Sequence, residues 1–172
     1  MNSFNKIKKF LEKNPDMLVI QEGPLSIEEI QHIEKELGIK IAGEYLQFLQ
    51  TWRSLNIYGC FNEYNAVYEF NNKDVFGVIS QTLECRASGL DHKYIPIAID
   101  DEHVCLCIDP SVEGNQKIVV WGNFEQEFFD EEHAGSLFDE IWNDIIENAI
   151  PAAEEDEDVG IVLDLSDLDL SK

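Results

Sequence analysis

Basic residues are scarce: the 172 residues include 12 lysines and arginines against 35 aspartates and glutamates, a formal charge of −23. A field of that sign repels phosphate backbones, so direct binding to nucleic acid or to an anionic membrane is excluded as a first expectation. Long apolar runs are missing too, and no stretch reaches the roughly 20 residues that cross a bilayer. Lys6, Lys8 and Lys9 are followed by Phe10-Leu11 and then by Glu12 and Lys13, which leaves no secretory h-region. Together these absences predict a cytoplasmic protein.

Cysteine is limited to Cys60, Cys85, Cys105 and Cys107, expected in that compartment as reduced thiols buried in the core. Cys105 and Cys107 share one strand face, and no second close pair completes a zinc site. A Gly-x-Ser-x-Gly elbow and a Gly-rich phosphate loop are both absent. Gly77 stands alone in a strand-like pattern, where it marks a bulge or close packing, and Cys85 with His92 lacks the third group of a catalytic arrangement. The expectation is a protein that is not an enzyme and that uses no cofactor or metal.

What is present is a globular composition, 44% hydrophobic and 27% charged, in a chain long enough for one core but not two. The acids crowd into the second part: the first hundred residues net −4 and the last 72 carry −19. Five consecutive acids, Glu154 to Asp158, follow Pro151. The reading is one domain over residues 1–150 and an acidic tail over 151–172. Its partner is expected to be basic.

Helical spacing predicts a first helix from a Ser3 cap through Phe4, Ile7, Phe10 and Leu11 to Asn14-Pro15. After a brief apolar run at Leu18-Val19-Ile20, Ser26 and Glu29 form a capping box opening a second helix with an Ile27, Ile30, Ile33 and Leu37 stripe, closed at Gly38. A third starts near Ala42 and carries Tyr45, Phe48, Leu49 and Trp52. Strand-like segments follow at 66–70, 75–80, 94–99, 103–108 and 117–121, of which 94–108 is the firmest hairpin. A final helix, capped by Ser136 and ended by Pro151, carries Leu137, Phe138, Ile141, Trp142, Ile145, Ile146 and Ala149. Beyond it Val159, Ile161, Leu163 and Leu165 alternate. That pattern fits an edge strand or a docking segment, but the neighbouring acids favour flexible attachment.

The segments Leu25-Ser26-Ile27-Glu28-Glu29-Ile30, Ile33-Glu34-Lys35-Glu36-Leu37-Gly38-Ile39 and Glu44-Tyr45-Leu46-Gln47-Phe48-Leu49 resemble the opening helices of the SUKH superfamily. The resemblance continues through Tyr94 to Ala98, Val104 to Asp109, Lys117 to Trp121 and Ser136-Leu137-Phe138, over roughly residues 15 to 150. It implies an α+β fold, a mostly antiparallel sheet flanked by helices, in agreement with the pattern of elements. Where that family usually has Leu-Pro and then an Asn-Gly-Gly-like turn, this chain has Ile41-Ala42 and the stretch 53–59. The resemblance further implies an immunity protein (antitoxin) of the bacterial branch that neutralises a cognate polymorphic or contact-dependent toxin, many of which are nucleases. The alternative it leaves is a non-catalytic regulatory interaction module of the cell-wall-synthesis-regulator type.

Candidate contacts follow from charge and aromatic anchoring. Asp100, Asp101 and Glu102 lie in a hairpin connection, and Phe124, Glu125, Glu127, Phe128, Glu131 and Glu132 lie in a loop that mixes apolar anchors with negative charge. Tyr58, in the less regular turn region, adds a further aromatic. The clusters Asp100 to His103 and Asp130 to His133 lack the i, i+4 histidine spacing of a helical metal site and are read as solvated loop charge. Trp52, Trp121 and Trp142 fall on apolar faces and are expected in the core.

Overall fold

The computed structural model describes residues 2–21, 23–60, 64–65, 77–99, 104–122, 127–129, 135–156, 160–168 and 170. Helix α1 (Ser3–Lys13) is capped by Asn2, whose side chain accepts from the Asn5 N–H, so Ser3 is the first helical residue rather than the cap. A single 3₁₀ turn, Pro15–Met17, leads to strand β1 (Leu18–Gln21). Helix α2 (Ile27–Leu37) has the full capping box between Ser26 and Glu29 and ends at Gly38, whose φ of 65° is the left-handed closure expected of glycine. Its buried stripe is Ile30, Ile33 and Leu37. Ile27, one turn earlier, overhangs the core and is 64% exposed, against the expectation that it is buried.

Helix α3 (Gly43–Leu49) buries Tyr45, Phe48 and Leu49. The chain then turns through Trp52 into strand β2 (Ser54–Ile57), which pairs antiparallel with both β1 and β3 (Tyr64–Asn65). Part of the stretch 53–59, set against a family turn in the sequence, is therefore a central strand.

Helix α4 (Val78–Ala87) corrects the expected strand at 75–80: Val78 and Ile79 look strand-like locally, but Val78, Thr82 and Cys85 bury at helical spacing, and Gly77 occupies the cap position. The expected strand at 66–70 lies outside the described residues. Arg86 on α4 donates to the Leu37 carbonyl at 2.7 Å and to the His92 carbonyl, tying α4 to the end of α2.

The second sheet is an antiparallel meander of β4 (Ile95–Ile99), β5 (Val104–Ile108), β6 (Val119–Gly122) and β7 (Glu127–Phe129), in that order; its first three strands fall on the expected segments 94–99, 103–108 and 117–121, and β7 adds a strand beyond those expected from the sequence. Ile95 faces Ile108 and Ile99 faces Cys105, confirming the 94–108 pairing, and Val104 faces Gly122. Cys85, Cys105 and Cys107 are buried together with Leu90 and Trp121 in a small second core, while Cys60 is only half-buried.

Helix α5 (Leu137–Asp144) has a capping box between Ser136 and Asp139. It does not end at Pro151. A π-helical turn, Ile145–Ala149, carries it into α6 (Ile150–Glu155), and the Ile150 N–H bonds to the Ile145 carbonyl, five residues back. That wider turn shifts the ladder so that the proline, which has no N–H to give, falls in the first turn of α6, where none is needed.

An aromatic cluster closes the edge of the main core beneath α1, where the half-buried Phe4 packs on buried rings. Phe4 lies 5.3 Å from Trp52 and 4.9 Å from Phe138, ring centre to ring centre. Trp52, Trp121 and Trp142 are all buried, as expected from their apolar faces. The fold is α+β. Residues 160–168 correct the expectation of flexible attachment: Ile161, Leu163, Leu165 and Leu168 pack against the main core, and Asn14 bonds to the Asp164 backbone.

Candidate functional site

Three helix starts converge on one cleft of about 250 Å³, lined by Asn2, Ser3 and Phe4 of α1, Gly43, Glu44 and Gln47 of α3, and Ser136, Phe138 and Asp139 of α5, with Gly114 and Asn115 closing the side. Each helix start brings backbone N–H groups that lack intrahelical partners, and carboxylates and hydroxyls are the side chains that satisfy them. Asp139 completes the Ser136 capping box and also accepts from the Ser3 hydroxyl, so one carboxylate joins α1 to α5.

Gln116, buried to 1%, fixes the remaining wall. Its side-chain amide donates to the Ala42 and Val112 carbonyls at 3.1 Å each and accepts from the Tyr45 N–H at 2.8 Å, and its own carbonyl accepts from the Leu137 N–H. It thereby holds the loop before β6 against the starts of α3 and α5. Gly43 makes this approach possible: its φ is +57°, and a Cβ there would meet the Val112 and Gly114 carbonyl oxygens at 2.5 and 2.7 Å.

The two carboxyl groups in the cleft are driven apart. Burial raises Glu44 above its ordinary value of 4.5, and the Asp139 charge adds to this against opposing hydrogen bonds from the Ser136 hydroxyl and the Gln116 N–H. Burial pushes Asp139 up as well, but the Ser3 hydroxyl, the Ser136 N–H and hydroxyl and the Lys6 charge outweigh it and hold the group below 3.8. The result is an electronegative, partly desolvated notch with hydroxyl and amide groups on its rim. Its chemistry suits a cationic or hydrogen-bond-donating side chain. Among the described residues no group of three His, Cys, Asp or Glu is placed to hold a metal ion.

Of the residues singled out from the sequence, Tyr58 follows β2, and its hydroxyl donates to Asp156 Oδ2 at 2.6 Å. That bond raises the phenol above its ordinary value of 10.0. Tyr58 thus ties β2 to the end of α6. Glu127 and Phe128 lie in β7, paired with Gly122 and Trp121, so this part of the expected loop is a short strand. Asp100, Asp101, Glu102, Phe124, Glu125, Glu131 and Glu132 lie outside the described residues. Tyr58 does not line the cleft. Sequence reasoning missed Gln116, Gly43, Glu44 and Asp139 as a group because they are joined only by packing across more than ninety residues. The signal available was Asp139 three residues after Ser136, the spacing of a capping box.

A family model described as SUKH_5, SMI1-KNR4 cell-wall, matches residues 4–147. No curated protein matches the chain. No helix among the described residues is long and apolar enough to cross a membrane.

Proposed function

The chain belongs to the SUKH_5 family, and on that premise we propose that it works by binding another protein without chemistry of its own, as an immunity protein that occludes a cognate toxin domain with a basic, nuclease-type surface. The observation that carries this is the charge: −19 of the −23 falls in the last 72 residues. A nuclease must offer a positive surface to phosphates, and an acidic inhibitor of complementary field is steered onto that surface. The cleft supports the same reading, since Glu44 and Asp139 provide a notch for a lysine or arginine from the partner.

The experiment is co-expression of the chain with the toxin domain encoded beside its gene. Survival of the host and co-purification as a one-to-one complex are expected. Survival lost with both proteins present and folded rejects the proposal. The cell-wall term in the family description favours a second reading, a regulatory interaction module. A gene neighbourhood without any toxin gene would support that reading instead.

A further inference from the structure

The small second core collects three of the four cysteines. Cys85 lies in the last turn of α4, and Cys105 and Cys107 lie two apart on β5, the strand between β4 and β6. The Cys85 and Cys105 sulfurs are 3.9 Å apart, in van der Waals contact, although the residues belong to different elements. A thiol buried as a small apolar group needs no second sulfur at contact distance. Two thiols in contact are the arrangement from which a disulfide of about 2.05 Å closes with a small movement of the side chains.

The three sulfurs are not equivalent. A hydrogen bond with Cys105 holds the Cys85 thiol below its ordinary value of 9.0, against burial and the Glu84 charge, which both raise it. Burial pushes Cys107 well above 9.0, and its S–H donates to the Cys105 carbonyl at 3.8 Å. Cys85 is also the least covered, 5% exposed against 2% for Cys105 and 0% for Cys107. An opening of that size admits a molecule as small as hydrogen peroxide sooner than a bulky disulfide reagent, and the thiolate is the form that reacts.

We propose that Cys85 and Cys105 form an oxidation site, at which hydrogen peroxide converts the two thiols to a disulfide that staples the end of α4 to an inner strand of the second sheet. The Cys85 thiolate attacks one peroxide oxygen, the O–O bond breaks and hydroxide leaves, giving a sulfenic acid. The Cys105 sulfur then attacks the Cys85 sulfur, the S–O bond breaks, and the sulfenic oxygen leaves as water with the Cys105 proton. In sum, two thiols and one peroxide become one disulfide and two waters. The bond closes the 85–105 loop and so constrains the unfolded chain, which makes the oxidised form the more stable one.

The test is titration of the full, reduced chain with hydrogen peroxide, followed by alkylation and peptide mass spectrometry. A Cys85–Cys105 cross-link at least about tenfold more abundant than any other pair is expected from the folded chain. Urea-unfolded chain should instead give a mixture that includes Cys60 and Cys107. The cross-linked protein should melt about 5 °C or more above the reduced one, and dithiothreitol should reverse the shift. Cys107→Ala is expected to keep the cross-link, and Cys105→Ala to leave Cys85 as a sulfenic acid that dimedone traps. Should Cys105→Ala fail to fold, the mapping on the unaltered chain decides. Thiols that survive excess peroxide, a predominant Cys85–Cys107 bond, sulfinic acid on Cys85 without a cross-link, or the same mixture from folded and unfolded chain each overturn the proposal. A cross-linked chain that melts no higher than the reduced one overturns the staple.

Discussion

Glu44 and Asp139 occupy one cleft and titrate in opposite directions, which separates their effects on stability. Glu44 has a folded pKa above 4.5, so ionising it costs folding free energy, and the cost appears as pH rises from 4.5 through the folded value. Glu44→Gln should therefore raise the urea midpoint at pH 7, with the gain gone at pH 4. Asp139 has a folded pKa below 3.8, so its contribution is present at neutral pH and is lost as pH falls through the folded value. Asp139→Asn should lower the midpoint at pH 7 and matter progressively less in strong acid. Parallel behaviour of the two variants would contradict the assigned surroundings. At Gly43 the obstacle is steric: alanine needs a left-handed backbone and a Cβ 2.5 Å from a carbonyl oxygen. Gly43→Ala should cost more than about 2 kcal/mol in equilibrium unfolding.

Caps and turns decide where the elements start and stop, and they were unevenly legible. Ser26 with Glu29 and Gly38 announce α2 at both ends because each acts within four residues of its own position. Ser136 announces α5 in the same way, but it also orders Asp139 for Ser3 of α1. Ser26→Ala is expected to cost about 1 kcal/mol and Ser136→Ala about 2 kcal/mol, measured by denaturant unfolding, since the second removes a cap and also loosens a junction. Equal losses would argue that the cleft adds nothing to the cap. The element misread most fully was α4. Val78-Ile79 carries β-branched side chains, and the helical burial of Val78, Thr82 and Cys85 is visible only once Cys85 meets Cys105 across from it, sulfur to sulfur at 3.9 Å. Pro151 misled for a related reason: the π turn that admits it depends on contacts of the whole face from Leu137 to Ala153, not on the local sequence.

Charge belongs to the molecule as a whole. With 35 acids against 12 bases the field extends beyond any one contact and is screened over about 8 Å at physiological ionic strength. If the partner is basic, its association rate should fall about tenfold or more between low and high salt, while dissociation changes little, as stopped-flow measurement would show. A flat salt profile would remove steering from the proposed function. The sequence by itself determined this charge, the α+β class, the 94–108 hairpin and the buried tryptophans, because composition and short-range periodicity are written along the chain. Only the tertiary structure decided that Asn2, Glu44 and Asp139 share a cleft, that Gln116 holds it together, and that residues 160–168 seat on Asn14. The Tyr45–Gln116 and Asn14–Asp164 bonds span 71 and 150 residues. They form only when the core closes, since no local pattern records which distant backbone a side-chain amide will find.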